Sequence, residues 1–139
     1  MSFFVIQEFV PQDIFKRFGK NAWWFVDDRI VAGANFLRLL IGAPITINDW
    51  HTGGWYSESG LRSFSTSTGA SMSQHRFGRA IDIKVEHMSP MEVYDFVKKN
   101  WAKLNPFFTT IESIEFTKTW VHLDCRHVVD RSVPFIVNP

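Results

Sequence analysis

The chain has 139 residues, 45% of them hydrophobic and 21% charged, which suits one domain around one core. A formal net charge of +1 offers no basic field for nucleic acid, and no block of like charge marks an interaction tail. Cys125 is the only cysteine, so neither an intramolecular disulfide nor a cysteine-based zinc finger is possible. The first segment, MSFFVIQEFV, is apolar but lacks a basic n-region and is interrupted by Glu8, so no signal peptide is expected. No apolar run reaches bilayer-spanning length, so no membrane insertion is expected, and synthesis and folding are placed in a cytoplasm. QDIFKRFG reads as a short helix between Pro11 and a stop at Gly19. Over 25–42, Ile30, Ala34, Leu37 and Ile41 recur at helical spacing before Gly42 and Pro44 end the pattern.

ITIND, 45–49, reads as a strand. Residues 50–74 are rich in Gly, Ser and Thr, and a loop of that length in a small domain is usually functional. A strand over 79–85 follows. SPMEVYDFVKKNWAKL then opens a helix, with Ser89 as N-cap, Pro90 in the first turn, Glu92 closing a capping box, and Val93, Phe96, Val97 and Trp101 as its apolar stripe. TIESIEF and WVHLDCR read as two more strands joined at TKT. Helices first, then strands with one helix inserted, point to α+β: a small single domain over 1–139 with a central, mostly antiparallel sheet flanked by helices.

Strand parity sorts the chemistry. On the last strand Trp120, His122 and Asp124 share one face, and Val121, Leu123 and Cys125 the other, apolar one. On the earlier strand Ala80 and Asp82 oppose Ile81, Ile83 and Val85. A carboxylate on a core strand is costly without a partner. If the two strands are neighbours, Asp82 and His122 converge, with His75 arriving across the loop at Gly78. Two imidazoles and a carboxylate form a zinc-ligand set that leaves a fourth position for water, whose pKa the ion lowers. The spacing alone leaves two readings open: three metal ligands, or hydrogen-bonded polar groups in a core.

The residues that decide between them are SQHRFGRAID and WVHLDCR. The first resembles the Ser-x-His-x-x-Gly-x-Ala-x-Asp pattern of the M15 metallopeptidases, the zinc D-alanyl-D-alanine carboxypeptidase family, with Ser73, His75, Gly78, Ala80 and Asp82 filling its five positions. The second resembles that family's later signature, which supplies the third ligand, here His122. GLRS, with Arg62, resembles the arginine segment upstream, so the resemblance runs from about Pro44 to Arg126. It implies a small α+β fold shared with lysostaphin-type peptidases and the hedgehog domain, one zinc ion per chain held by His75, Asp82 and His122, and hydrolysis of peptidoglycan peptides; a monomer is expected. It implies substrate or oxyanion contacts from Arg62 and Ser73. Short single-domain members resemble phage endolysins, which reach the wall through a holin or a virion. The resemblance leaves carboxypeptidase and endopeptidase activity open.

One departure stands out. Many members carry an acid three residues before the last ligand, where this chain has Thr119, and some a histidine two before it, where this chain has Trp120. Asp124, on the His122 face, and Glu115, at the end of the preceding strand, are therefore the candidates for the general base, with Asp124 favoured by parity; an Asp124–Arg126 ion pair is the bland alternative. The departure also keeps a rival alive: a catalytically inactive, metal-containing wall-binding or virion module. His51, His87 and His127 read as surface residues, Trp23 and Trp24 as packing residues, Trp50, Trp55 and Tyr56 as candidates for a cleft wall, and Cys125 as a small buried hydrophobe.

Overall fold

The computed structural model describes residues 2–139. Helix α1 spans Gln12–Phe18, between Pro11 and Gly19. Helix α2 spans Asp28–Ile41; the Asp27 side chain caps it by accepting the Arg29 backbone N–H, and Gly42 ends it in the left-handed conformation. Strand β1 is only Ile45–Thr46, and β2 spans Ala80–Val85. Helix α3, Pro90–Lys99, forms on the Ser89–Glu92 capping box. The expected single helix through residue 104 is broken at Asn100, whose side chain turns back to the Phe96 carbonyl, and a short α4, Trp101–Leu104, follows. Strands β3, Thr110–Glu112, β4, Val121–Asp124, and β5, Phe135–Val137, complete the sheet.

The architecture is α+β, with a five-stranded sheet in the order β1-β2-β4-β3-β5. All neighbours are antiparallel except β3 and β5, which are parallel. Its apolar face, including Ile81, Ile83, Ile111, Val121 and Leu123, joins Ile30 and Leu37 of α2 and Val93 and Val97 of α3 in one core. Cys125 is free and buried there, as strand parity requires.

The strands differ from their expected lengths for identifiable reasons. β1 stops early because Asn48 is drawn out of the sheet: its amide nitrogen donates to the Val10 carbonyl, and its side-chain oxygen accepts the Ser59 N–H. TIESIEF leaves the sheet after Glu112 and turns through residues 114–116. β5 arises from a C-terminal segment that carries no strand pattern strong enough to read, and it is held by the register Glu112↔Val137.

The opposite face of the sheet carries the polar residues. Asp82 lies directly across from His122. The β3–β4 register pairs Ile111 with Leu123, so its next step sets Glu112 beside His122. Asp82, His122, Glu112 and Val137 thus form one row across four strands. Among the described residues, no helix is long and apolar enough to cross a membrane.

Candidate metal centre

The chain assembles the site from three segments. β2 and β4 supply Asp82 and His122 by their register. His75 comes from the 3-10 turn Gln74–Phe77, which Gly78 ends in the left-handed conformation at φ 66°. That turn sits hard against the N-terminal region: the Asp27 N–H donates to the Gly78 carbonyl, and a Cβ at residue 78 would fall on the Phe25 carbonyl oxygen. Glycine is therefore required there twice, by conformation and by space.

Three ligand atoms converge. His75 Nε2 lies 3.2 Å from His122 Nδ1 and 3.2 Å from Asp82 Oδ1, and His122 Nδ1 lies 2.9 Å from Asp82 Oδ1. His75 and His122 are 2% and 5% exposed, and Asp82 is 9% exposed. The far side of each ring is committed elsewhere. His75 Nδ1 is 2.8 Å from the Gly60 carbonyl oxygen, which can only accept, so that nitrogen carries the proton and Nε2 presents its lone pair to the centre. His122 Nε2 is 3.0 Å from Asp124 Oδ2 and donates to it, which frees Nδ1 for the same centre. Two imidazole lone pairs and a carboxylate oxygen this close repel one another unless a cation stands between them. A proton on His122 meets the need in part; a divalent ion meets it with all three atoms. The chemistry of the donor set and its spacing fit a metal ion, and His75, Asp82 and His122 lie close enough to bind one.

The electrostatics have the same cause. Burial pushes the Asp82 pKa up, but the two imidazoles beside it outweigh that and hold the carboxyl well below its ordinary range. Burial opposes charge on His122, yet the bonds to Asp124 and Asp82 lift it to about 9. Asp124 is held at about 2, because its bonds from His122 and Arg126 overcome its burial.

The other expected site residues fall into place differently. Asp124 does share the His122 face, but it is fully buried, on the side of the ring away from the ligand atom, and the Arg126 guanidinium grips both its oxygens. It orients His122 and does not border the cavity in front of the ligands. Glu115 is exposed in the turn after β3 and does not border that cavity either, because the strand ends three residues before it. Besides Asp82, the carboxylate bordering the cavity is Glu112, which the strand reading passed over. Its Oε2 is 3.8 Å from His122 Nδ1 and it lines the cavity. Burial raises its pKa, an effect that the nearby His122 charge only partly offsets. Glu112, not Glu115, sits opposite the last ligand in the observed hairpin register.

Arg62 and Ser73 border the same cavity of about 380 Å³. Arg62 donates through Nη1 to the Ser73 hydroxyl at 3.3 Å and the Thr68 carbonyl at 3.4 Å, while its buried Nε has no partner among the described residues. Ser73 therefore positions Arg62. His51, His87 and His127 are exposed, as expected. Trp23 packs on Phe9 with ring centroids 5.5 Å apart, but Trp24 is 74% exposed and is not a packing residue: its neighbours in the 3-10 turn Gly19–Phe25 face inward while it points out. Trp50 donates to the Val10 carbonyl, which anchors the loop; Trp55 and Tyr56 are exposed. Burial pushes the Cys125 thiol up to about 12, which leaves it no nucleophilic character at neutral pH.

No protein-family model, curated protein or solved structure matches the chain.

Proposed function

We propose that this chain is a zinc peptidase acting on the peptides of bacterial peptidoglycan, of the phage endolysin kind. The observation that carries the proposal is the convergence of three lone-pair donors, His75 Nε2, His122 Nδ1 and Asp82 Oδ1, beside a cavity that Arg62 and Glu112 also line. The His-Asp-His set is of the kind zinc takes in catalytic sites, and the motif resemblance to the M15 peptidases supports both the metal and the wall-peptide substrate.

When bound, the ion supplies Lewis acidity toward the scissile carbonyl and activates water. The protein supplies the rest. Glu112 Oε2 accepts the proton of the attacking water and passes it to the leaving amine nitrogen as the C–N bond breaks and the C–O bond forms. Arg62, which borders the cavity, donates to the oxygen on which negative charge develops. Asp124 and the Gly60 carbonyl hold the two imidazoles in their tautomers.

The test pairs two measurements on protein purified without chelator: metal content by mass spectrometry, and peptide release from purified peptidoglycan. About one zinc per chain, lost in His75→Ala, with peptide release that disappears in His122→Ala, is the expected result. Bound metal with no release of any fragment would favour the wall-binding or virion module; no metal uptake at all would overturn the proposal.

A further inference from the structure

At the end of the sheet where β2 and β3 begin and β4 ends, a second cavity gathers arginines. We infer that it is a binding site for a phosphate group, taken up as the dianion of a phosphomonoester. The inference stands apart from the peptidase reading, since none of His75, Asp82 and His122 borders this cavity.

The cavity, of about 270 Å³, is bordered by Arg29, Arg79, Arg126 and Arg131, with Thr109 and His127. These are half of the arginines in a chain whose net charge is only +1. Neither a carboxylate nor a lysine borders it. The sheet explains why the arginines meet. Arg79 immediately precedes β2 and Arg126 follows β4. Ala80 faces Asp124 in the register, and the Cys125 N–H donates to the Arg79 carbonyl. Thr109, just before β3, donates its hydroxyl to the Arg126 carbonyl. Arg29 comes from the first turn of α2.

Three of the guanidiniums are fixed at one nitrogen or edge and open elsewhere. Arg29 points Nε and Nη2 at the two oxygens of Asp27, at 3.0 and 2.9 Å. Arg126 turns the same two nitrogens onto Asp124. Arg131 donates through Nη2 to the Asn105 carbonyl. Among the described residues, Nη1 of all three makes no hydrogen bond. Arg79 Nε lies 3.8 Å from the same Asp27 oxygen that Arg29 Nη2 meets, so one carboxylate sets two arginines side by side. A fork held from behind keeps its remaining donors in place, and less side-chain freedom is lost when a ligand arrives.

Charge and shape choose the ligand. Asp27 and Asp124 neutralise Arg29 and Arg126. Asp130 is turned to Ser132, so the charges of Arg79 and Arg131 stay unmatched. A phosphomonoester brings about −1.5 to −2 charge at neutral pH and three acceptor oxygens. A carboxylate brings one charge and two oxygens, enough for a single fork, and a phosphodiester also carries one charge only. Arg79, His127 and Arg131 are exposed at the rim, so the organic part of the ester leads out to solvent. Cys125 borders the cavity with a thiol that stays protonated at neutral pH, so the site holds an anion with no nucleophile to attack it.

The experiment titrates inorganic phosphate into the protein at fixed ionic strength and follows the arginine Nε–H signals by NMR, with dimethyl phosphate and acetate as comparison anions. The signals of Arg29, Arg79 and Arg126 should shift together and saturate, with phosphate bound more tightly than either comparison anion. Arg79→Gln and Arg131→Gln should each weaken phosphate binding by about tenfold or more, while Arg62→Gln, at the metal cavity, leaves it unchanged. Both substituted side chains are exposed, and thermal unfolding identifies a variant that fails to fold; the signals of the unaltered protein then decide. Weakening in Arg62→Gln alone would place the phosphate at the metal centre and overturn the site. Equal affinity for acetate or dimethyl phosphate would overturn the phosphomonoester. Shifts that never saturate would mean loose counterions only, and would overturn the site as well.

Discussion

Besides Asp82, two carboxylates touch or approach His122, and they do different work. Asp124 meets the ring from behind, fully buried and clamped by Arg126; Glu112 faces the cavity beside the ligand atoms. Their substitutions should therefore separate. Glu112→Gln keeps shape and hydrogen bonding but cannot take a proton, so zinc content should stay near wild type while kcat falls by about 10²- to 10⁴-fold. If Glu112→Gln lost its metal as well, the residue would be a ligand and not the base. Asp124→Asn loosens the tautomer of a ligand, so zinc affinity itself should fall by about 10- to 100-fold, read by competition with a metal-binding dye. Unchanged affinity in Asp124→Asn would remove Asp124 from the orienting role.

At the scale of elements, much of the site was legible because parity is a local property. Asp82 and His122 could be placed on one face of their strands from residues 80–85 and 120–125 alone, and the observed pairing of Asp82 with His122 needs only that β2 and β4 be neighbours. Glu112 was not legible for the complementary reason. Its position depends on where the segment 113–120 turns, and a register set by tertiary packing has no signature in the segment itself. β5 escaped for the same cause, since its pairing with β3 is parallel and long-range. The 3-10 turn that presents His75 depends on Gly78. Gly78→Ala should cost well over 1 kcal/mol and displace His75, so the variant should show both a lower denaturation midpoint and weaker zinc binding. A variant as stable as wild type would show that the turn can move off the Phe25 carbonyl freely. Helix α2, adjoining the same turn, starts on Asp27, which accepts from the Arg29 N–H, Nε and Nη2 at 2.9–3.0 Å. These bonds lower the Asp27 pKa. A carboxyl held below its unfolded value stabilises the fold above that value, near 4, and the stabilisation is lost as pH falls through the folded value. Asp27→Ala should thus cost about 1 kcal/mol at pH 7, and the gap to wild type should close on acidification. A gap independent of pH down to acid unfolding would show that the cap acts without its charge.

For the whole molecule, the centre ties together parts of the chain that are far apart in sequence: the turn at His75, β2 at Asp82 and β4 at His122. Without a metal ion, a proton on His122 bridges that ring to Asp82, but the His75 lone pair still faces the Asp82 oxygen 3.2 Å away, so burial leaves part of the site in repulsion. An ion that binds only the folded chain turns that repulsion into attraction and adds RT ln(1 + [L]/Kd), about 4 kcal/mol at a thousandfold excess over Kd. For a domain of this size that corresponds to a rise in Tm on the order of 10 °C. Thermal unfolding should therefore move down by that order on addition of a strong chelator and be restored by zinc. His122→Ala removes one ligand and one of the repelling lone pairs together, so its Tm should no longer respond to either addition. A wild-type Tm indifferent to chelator and to zinc would mean that the three side chains satisfy one another with a proton alone, and a peptidase built on this centre would have nothing to activate its water.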